Sequence, residues 1–141
     1  MSTAVPDLAL PRLIVHAPVD VAAAVAVGVP VIVQSPPDCP LRQGVPWFAA
    51  LVAGVRPPVL PVLDCGAAPG LALAALRLGV PVVRIAPGPE VRIAPDSAPT
   101  ALAAIAAEMG ARVDTTAPTA VLDLRGVADP VAACRRFLAL A

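Results

Sequence analysis

Two stretches of the chain repeat one pattern. Residues 24–38 read AVAVGVPVIVQSPPD, and residues 75–89 read ALRLGVPVVRIAPGP. Both contain Gly-Val-Pro-Val, in which the glycine suits the left-handed position that ends a helix. The proline can then open a strand, where its missing N–H removes no ladder hydrogen bond. Each copy therefore predicts a helix that ends at a glycine and is followed directly by a buried strand.

The same strand–helix unit can be followed along the rest of the chain. Five apolar segments predict strands, at residues 12–16, 31–34, 59–64, 82–85 and 120–124. The intervening and final segments predict helices, at residues 20–27, about 47–53, 68–78, 97–110 and from 129 to the C-terminus. Asp20 and Asp129 are expected to cap the first and last helix, because an aspartate oxygen accepts a bond from a free backbone N–H. Pro61 inside the third strand predicts a shortened strand or an edge position.

Apolar strands that alternate with helices indicate a parallel sheet covered by helices. The predicted fold class is a single α/β domain over residues 1–141, with residues 1–11 forming an irregular N-terminal segment. Its sheet is expected to be five-stranded, mainly parallel and doubly wound, with helices on both faces, as in flavodoxin and response regulators. The alternative is part of a (β/α) barrel, because the strand–helix pattern does not determine whether the sheet closes.

The composition excludes several classes of partner. The formal net charge is zero, which favours neither nucleic acid nor an anionic membrane surface. The longest uncharged run, residues 21–37, is interrupted by Gly28 and by prolines, so it supplies no membrane-spanning helix. The first residues lack the basic and apolar regions of a signal peptide. These features predict a cytoplasmic protein that binds neither nucleic acid nor membrane.

The three cysteines are spaced far apart and form no Cys-x-x-Cys pair. We expect Cys39, Cys65 and Cys134 to be free thiols in a reducing compartment. The segment 35–48 offers one cysteine and one aspartate, which are too few ligands for a metal site, so no metal is expected.

Low charge and one entirely apolar helix predict self-association. Charged residues make up 14% of the chain, against about a quarter in ordinary domains. From residue 21 to residue 29 no side chain is polar. Because a helix that is apolar on every side is normally buried on every side, a second copy is expected to cover it. The predicted assembly is a homodimer.

In a parallel sheet, ligands bind beyond the carboxyl ends of the strands. The candidate catalytic residues at those ends are His16, Asp64 and Cys65. His16 can act as an acid or base or make a structural hydrogen bond. Asp64 can orient a substrate hydroxyl or cap the next helix, and Cys65 can be a nucleophile only if its pKa is lowered, or else a small buried residue. The candidate ligand-binding residues are His16, Ser35, Asp64, Gly66 and Gly70.

Residues 62–70, VLDCGAAPG, resemble motif I of S-adenosylmethionine-dependent RNA methyltransferases. The resemblance implies that the turn from Gly66 to Gly70 lets the backbone approach the cofactor. That family ends the following strand with an acidic residue, whereas this chain has Arg84-Ile85, and the remainder of the chain is too short for the family's domain. We therefore expect no cofactor and no binding of S-adenosylmethionine.

Two functional hypotheses follow from these residues. The first is a small-molecule-binding or catalytic domain that uses the strand ends, and the alternative is a non-catalytic, self-associating interaction module. The segment 35–48 bears on the choice, because Trp47 and Phe48 at its end can form a lid over the strand ends or a plug under a helix. The residues leave open whether the protein is an enzyme.

Overall fold

The computed structural model describes residues 7–85, 97–118 and 120–140. Strands and helices alternate along them in the following order: β1 (Arg12–Ile14), α1 (Pro18–Val27), β2 (Val31–Gln34), α2 (Cys39–Arg42), α3 (Val45–Leu51), β3 (Val59–Asp64), α4 (Pro69–Arg77), β4 (Val82–Arg84), α5 (Ser97–Glu108), β5 (Arg112–Asp114), β6 (Val121–Asp123) and α6 (Pro130–Phe137). Residues 7–11 contain no helix or strand, as expected for that part of the N-terminal segment.

The strands form one parallel sheet in the order β5-β4-β3-β2-β1-β6. This confirms the predicted class, a single α/β domain with a parallel sheet, with six strands in place of five. The additional strand is β5. Its sequence Arg-Val-Asp is short and mostly charged, so it lacks the apolar run that marks the other strands.

The described helices cover one face of the sheet. Leu13, Val33 and Leu63 point to that face and pack with helix residues in the main core. On the other face, Ile32, Val62 and Val82 pack with Leu8 and Leu10 and with no residue of the described helices. The expected arrangement, with helices on both faces and a flavodoxin-like strand order, is therefore not the one observed. The physical reason is that β1 to β5 are adjacent in sequential order, and right-handed crossovers that always advance in one direction leave every helix on the same side.

The face without helices is strongly concave. Arg12 on β1 and Asp114 on β5 are separated by three strands, yet Nη1 of the arginine lies 2.5 Å from Oδ2 of the aspartate. Four strand spacings in a flat sheet would span roughly 19 Å, much more than the two side chains can bridge. The sheet therefore curls around this face, here named the concave face. A sequential parallel order in which the terminal strands β5 and β6 do not pair with each other is that of an unclosed (β/α) barrel, the alternative that the sequence left open.

Strands β2 and β3 have the predicted limits, but the prediction for Pro61 is wrong. β3 keeps its full length and lies between β2 and β4. The backbone N–H of Ser35 donates to the carbonyl of Val62, so the neighbouring Pro61 faces the β4 side. Pairing with β4 begins only at Leu63, and the missing N–H of Pro61 therefore removes no hydrogen bond.

Helix ends follow the sequence signals in most places. Gly28 and Gly79 both have positive φ, as the repeated pattern predicts. The Asp129 side chain accepts a hydrogen bond from the Ala132 backbone N–H and so caps α6. Asp20 is not the cap of α1, because that helix begins at Pro18 and places Asp20 in its first turn. The short helix α2 was not predicted.

The aromatic pair of segment 35–48 forms a plug. Phe48 is fully buried in the main core, and Trp47 is partly buried against it, both on α3. All three cysteines are buried free thiols, as predicted. None of the helices in the described ranges is long and apolar enough to cross a membrane.

Candidate functional site

Charged residues end four of the six strands. In a parallel sheet the carboxyl ends of all strands lie at one edge, and the side chains of alternate residues share one face. On the concave face this edge carries Asp64 at the end of β3, Arg84 at the end of β4, Asp114 at the end of β5 and Asp123 at the end of β6. His16 follows β1 and continues the alternation of Arg12 and Ile14.

His16 is hydrogen-bonded to Asp123 across the adjacent ends of β1 and β6. Its Nε2 lies 2.6 Å from Oδ1 of Asp123, and the two side chains are 22% and 57% exposed. The carboxylate of Asp20 accepts the backbone N–H of His16 at 2.8 Å, so the histidine is held at both its backbone and its ring. Within the described part of the chain, the other ring nitrogen, Nδ1, has no hydrogen-bond partner.

Asp123 remains ionised at neutral pH. Burial raises the pKa of its carboxyl group, but hydrogen bonds from the Arg125 backbone N–H and from His16 outweigh burial, so the pKa lies below its usual value. An ionised carboxylate bonded to one ring nitrogen orients the imidazole and leaves the other nitrogen to accept or donate a proton. The sequence did not identify Asp123 as the partner of His16, because nothing in it shows that β6 lies beside β1.

A network of ion pairs lies on the same face. Arg12 is fully buried and donates to Asp114, to Oε1 of Gln34, to the carbonyl of Leu8 and to Oγ1 of Thr116. Burial raises the pKa of Asp114, but the hydrogen bonds from Arg12 and Thr116 lower the pKa by a larger amount, so the net shift is downward. The sequence did not single out Arg12, because a charged residue at the start of a strand ordinarily points to solvent.

Asp64 is hydrogen-bonded to Ser35 and Gly66, two of the candidate ligand-binding residues predicted from the sequence. Its backbone N–H donates to Oγ of Ser35 at 2.9 Å, and its Oδ1 accepts the Gly66 backbone N–H at 2.9 Å. Burial raises the pKa of Asp64, and the Gly66 hydrogen bond and the charge of Arg84 offset only part of that increase. Asp64 does not cap α4, whose N-cap is Ala68. Ser35 and Gly66 therefore fix the position of the Asp64 carboxyl group.

Cys65 and Gly70 lie apart from this group. The Cys65 side chain belongs to the main core on the helix side of the sheet. Burial and the neighbouring Asp64 raise its pKa to about 12, so it is a neutral thiol at physiological pH. The condition for a nucleophile, a lowered pKa, is not met. Gly70 lies in the first turn of α4.

The residues that resemble motif I do not offer a complete cofactor site. Gly66 adopts a positive φ in the turn after β3, as the resemblance implies. The next strand, however, ends at Arg84, which is paired with Asp114, where the family places an acidic residue. The side chains present therefore do not fit the ribose of S-adenosylmethionine.

Neither a metal site nor a known relative adds to this picture. In the described ranges, no group of three or more histidine, cysteine, aspartate or glutamate residues is placed to hold a metal ion. A cavity of about 460 Å³ lies at the opposite end of the sheet, between α3 and α4, and its side chains are all apolar. Comparison with protein-family models finds no match, and comparison with curated proteins finds none either.

Proposed function

We propose that this protein binds a small polar molecule at the carboxyl edge of its concave face and that His16 exchanges a proton with it. Asp123 orients the imidazole, and Asp64 contacts the ligand. The observation that carries the proposal is the 2.6 Å hydrogen bond between His16 Nε2 and Asp123 Oδ1. This hydrogen bond fixes the imidazole, which can act as an acid or base, at the edge where this class of fold binds its ligands.

Two further observations support a ligand site over an inert surface. Trp47 and Phe48 pack in the main core and leave the carboxyl edge of the concave face uncovered by an aromatic lid. Burial raises the pKa of Asp64, because the ionised form is less well solvated there than in water. Carboxyl groups perturbed in this way concentrate at functional sites. The buried free thiols fit a cytoplasmic location.

The proposal is tested by equilibrium dialysis of the purified protein against a mixture of cellular metabolites, with mass spectrometry of the retained compounds. We expect wild-type protein to retain a compound that His16→Gln and Asp123→Asn do not. Arg77→Gln, which changes an exposed residue on α4, is the matched control and should retain it like the wild type. Equal retention by His16→Gln and wild type, or no retention by either, would contradict the proposal.

A second proposal is self-association through the outer face of α1. Asp20, the one charged residue of this helix, is buried, while Val19 and Val25 are 59% and 51% exposed. Ala22 and Ala26 complete an exposed apolar strip one side-chain row wide. A second copy that packs the same strip against it would remove this surface from water through a twofold interface, so we propose a homodimer.

A further inference from the structure

Asp64 is incompletely satisfied although it is almost fully buried. The residue is 7% exposed. Its Oδ1 accepts the Gly66 N–H, whereas Oδ2 has no hydrogen-bond partner among the residues that the structure describes. The Asp64 side chain as a whole is 10% exposed, so part of it reaches the molecular surface. A buried carboxylate normally fills its hydrogen-bonding capacity, so the unpartnered Oδ2 can still accept a hydrogen bond from a ligand.

The natural partner of this oxygen is close but engaged elsewhere. Arg84 lies directly opposite Asp64 in the register of β3 and β4. Its Nη1 donates to Oδ2 of Asp114 at 3.3 Å and to the carbonyl of Thr116 at 2.5 Å. Its Nε remains 3.9 Å from Oδ2 of Asp64, which is too far for a hydrogen bond. Asp114 therefore engages Nη1 of Arg84, and the guanidinium reaches Asp64 as an ion pair without a hydrogen bond.

Asp114 can hold Arg84 because it is itself fixed. It is fully buried, and it accepts hydrogen bonds from Nη1 of Arg12 at 2.5 Å, from Oγ1 of Thr116 at 2.6 Å and from the Thr116 backbone N–H at 3.0 Å. Charge-assisted bonds of this kind to a buried carboxylate hold its orientation. The position of Arg84 is thus determined from β1 and β5, and not by Asp64.

We propose that Oδ2 of Asp64 anchors the ligand through a hydrogen-bond donor, a hydroxyl or ammonium group, and that Asp114 is the positioning residue that keeps this oxygen free. This inference rests on the proposed function. A carboxylate or phosphate does not suit Oδ2, because an ionised carboxylate only accepts hydrogen bonds and two like charges repel at this distance. The ligand class is therefore a polyol or an amine.

The positioning role is tested without a ligand by a double-mutant cycle of Asp114 and Arg84. The quantity measured in each variant is the proton affinity of the Asp64 carboxyl group, which carbon-detected NMR monitors during a pH titration. In Asp114→Asn, Arg84 is released and should move to Asp64. The proton affinity of the Asp64 carboxyl group should then fall about tenfold, the usual effect of an adjacent opposite charge. In an Arg84→Gln background, Asp114→Asn should change the affinity by a much smaller factor. Equal changes in both backgrounds would overturn the positioning role. Should Asp114→Asn fail to fold, as judged by Trp47 fluorescence, Arg84→Gln alone tests the role: it should raise the proton affinity of Asp64 by much less than tenfold, and a tenfold rise would overturn the positioning role.

The ligand class is tested with three small probes, glycerol, ethanolamine and acetate, of which acetate has no hydroxyl or ammonium donor. The Gly66 amide resonance is the reporter, because this N–H donates to Asp64. We expect glycerol or ethanolamine to shift it in a saturable way, with the shift lost in Asp64→Asn, and acetate to leave it unchanged. A saturable shift by acetate, no shift by any probe, or a shift that survives Asp64→Asn would overturn the inference. Retention of a metabolite through His16 alongside such a result would leave the proposed function standing.

Discussion

At the scale of single residues, Asp64 carries a stability cost that its proposed role explains. Its pKa is raised in the folded state, so folding favours the protonated form, and this contribution is lost as the pH rises through the folded pKa. Above the folded pKa the ionised group therefore destabilises the fold. We expect Asp64→Asn to raise the free energy of unfolding at pH 7 by about 1 kcal/mol, the usual size for relieving such a cost.

Urea unfolding, followed through the fluorescence of Trp47, measures this change. The matched control is Asp38→Asn, which removes an exposed carboxylate paired with Arg42 and should change the free energy by less than about 0.5 kcal/mol. The stabilisation of Asp64→Asn should shrink as the pH is lowered, because the wild-type carboxyl group then becomes neutral as well. A clear destabilisation at pH 7 would show that the ionised carboxylate holds the fold together.

At the scale of elements, the outer face of α1 is the test of self-association. Light scattering should give twice the 14.1 kDa chain mass for the wild type. Val25→Glu places a charge in the middle of the proposed interface and should reduce the mass to one chain, because a buried unpaired charge is strongly unfavourable. Leu41→Glu, at an exposed apolar residue of α2, is the control and should remain a dimer. A wild-type mass near 14.1 kDa would exclude a stable dimer.

Elements with a clear apolar run or turn residue could be predicted from the sequence. Strands β2 and β3 and the positive φ of Gly28 and Gly79 follow from such local signals. Strand β5 could not be predicted in this way, because its pairing with β4 depends on tertiary contacts and not on its own hydropathy. The capping role of Asp20 failed because Pro18, whose fixed φ suits the first helical position, starts the helix earlier.

At the scale of the whole molecule, the buried pair of Arg12 and Asp114 maintains the curl of the sheet. Arg12→Met leaves the Asp114 carboxylate buried without its main partner, and we expect a loss of about 4 kcal/mol in the free energy of unfolding. The double variant Arg12→Met/Asp114→Leu replaces the pair by apolar groups and should recover most of that loss. Urea unfolding of the three proteins decides this. A loss below about 0.5 kcal/mol for Arg12→Met would contradict the role of the pair.

The overall arrangement explains why the site was only partly predictable. His16, Ser35, Asp64 and Gly66 could be found, because strand ends are recognisable and parallel sheets bind ligands there. Their partners Asp123, Arg84 and Asp114 come from strands whose neighbours depend on strand order. That order is set by how each crossover packs on the sheet, and the sequence pattern was equally compatible with a doubly wound sheet. Cys65 is the small buried residue of its two sequence-based alternatives, because it follows Asp64 directly and one step along the chain moves a side chain to the opposite face.

The proposed function requires that Asp123 holds the His16 ring in one orientation with Nδ1 available for proton exchange. Nitrogen NMR of the imidazole measures this directly, since the chain has a single histidine. When the ring is neutral, we predict a proton on Nε2, hydrogen-bonded to Asp123, and an unprotonated Nδ1, with the tautomers mixed in Asp123→Asn. A ring protonated on Nδ1 in the wild type, or an unchanged spectrum in Asp123→Asn, would contradict the claim.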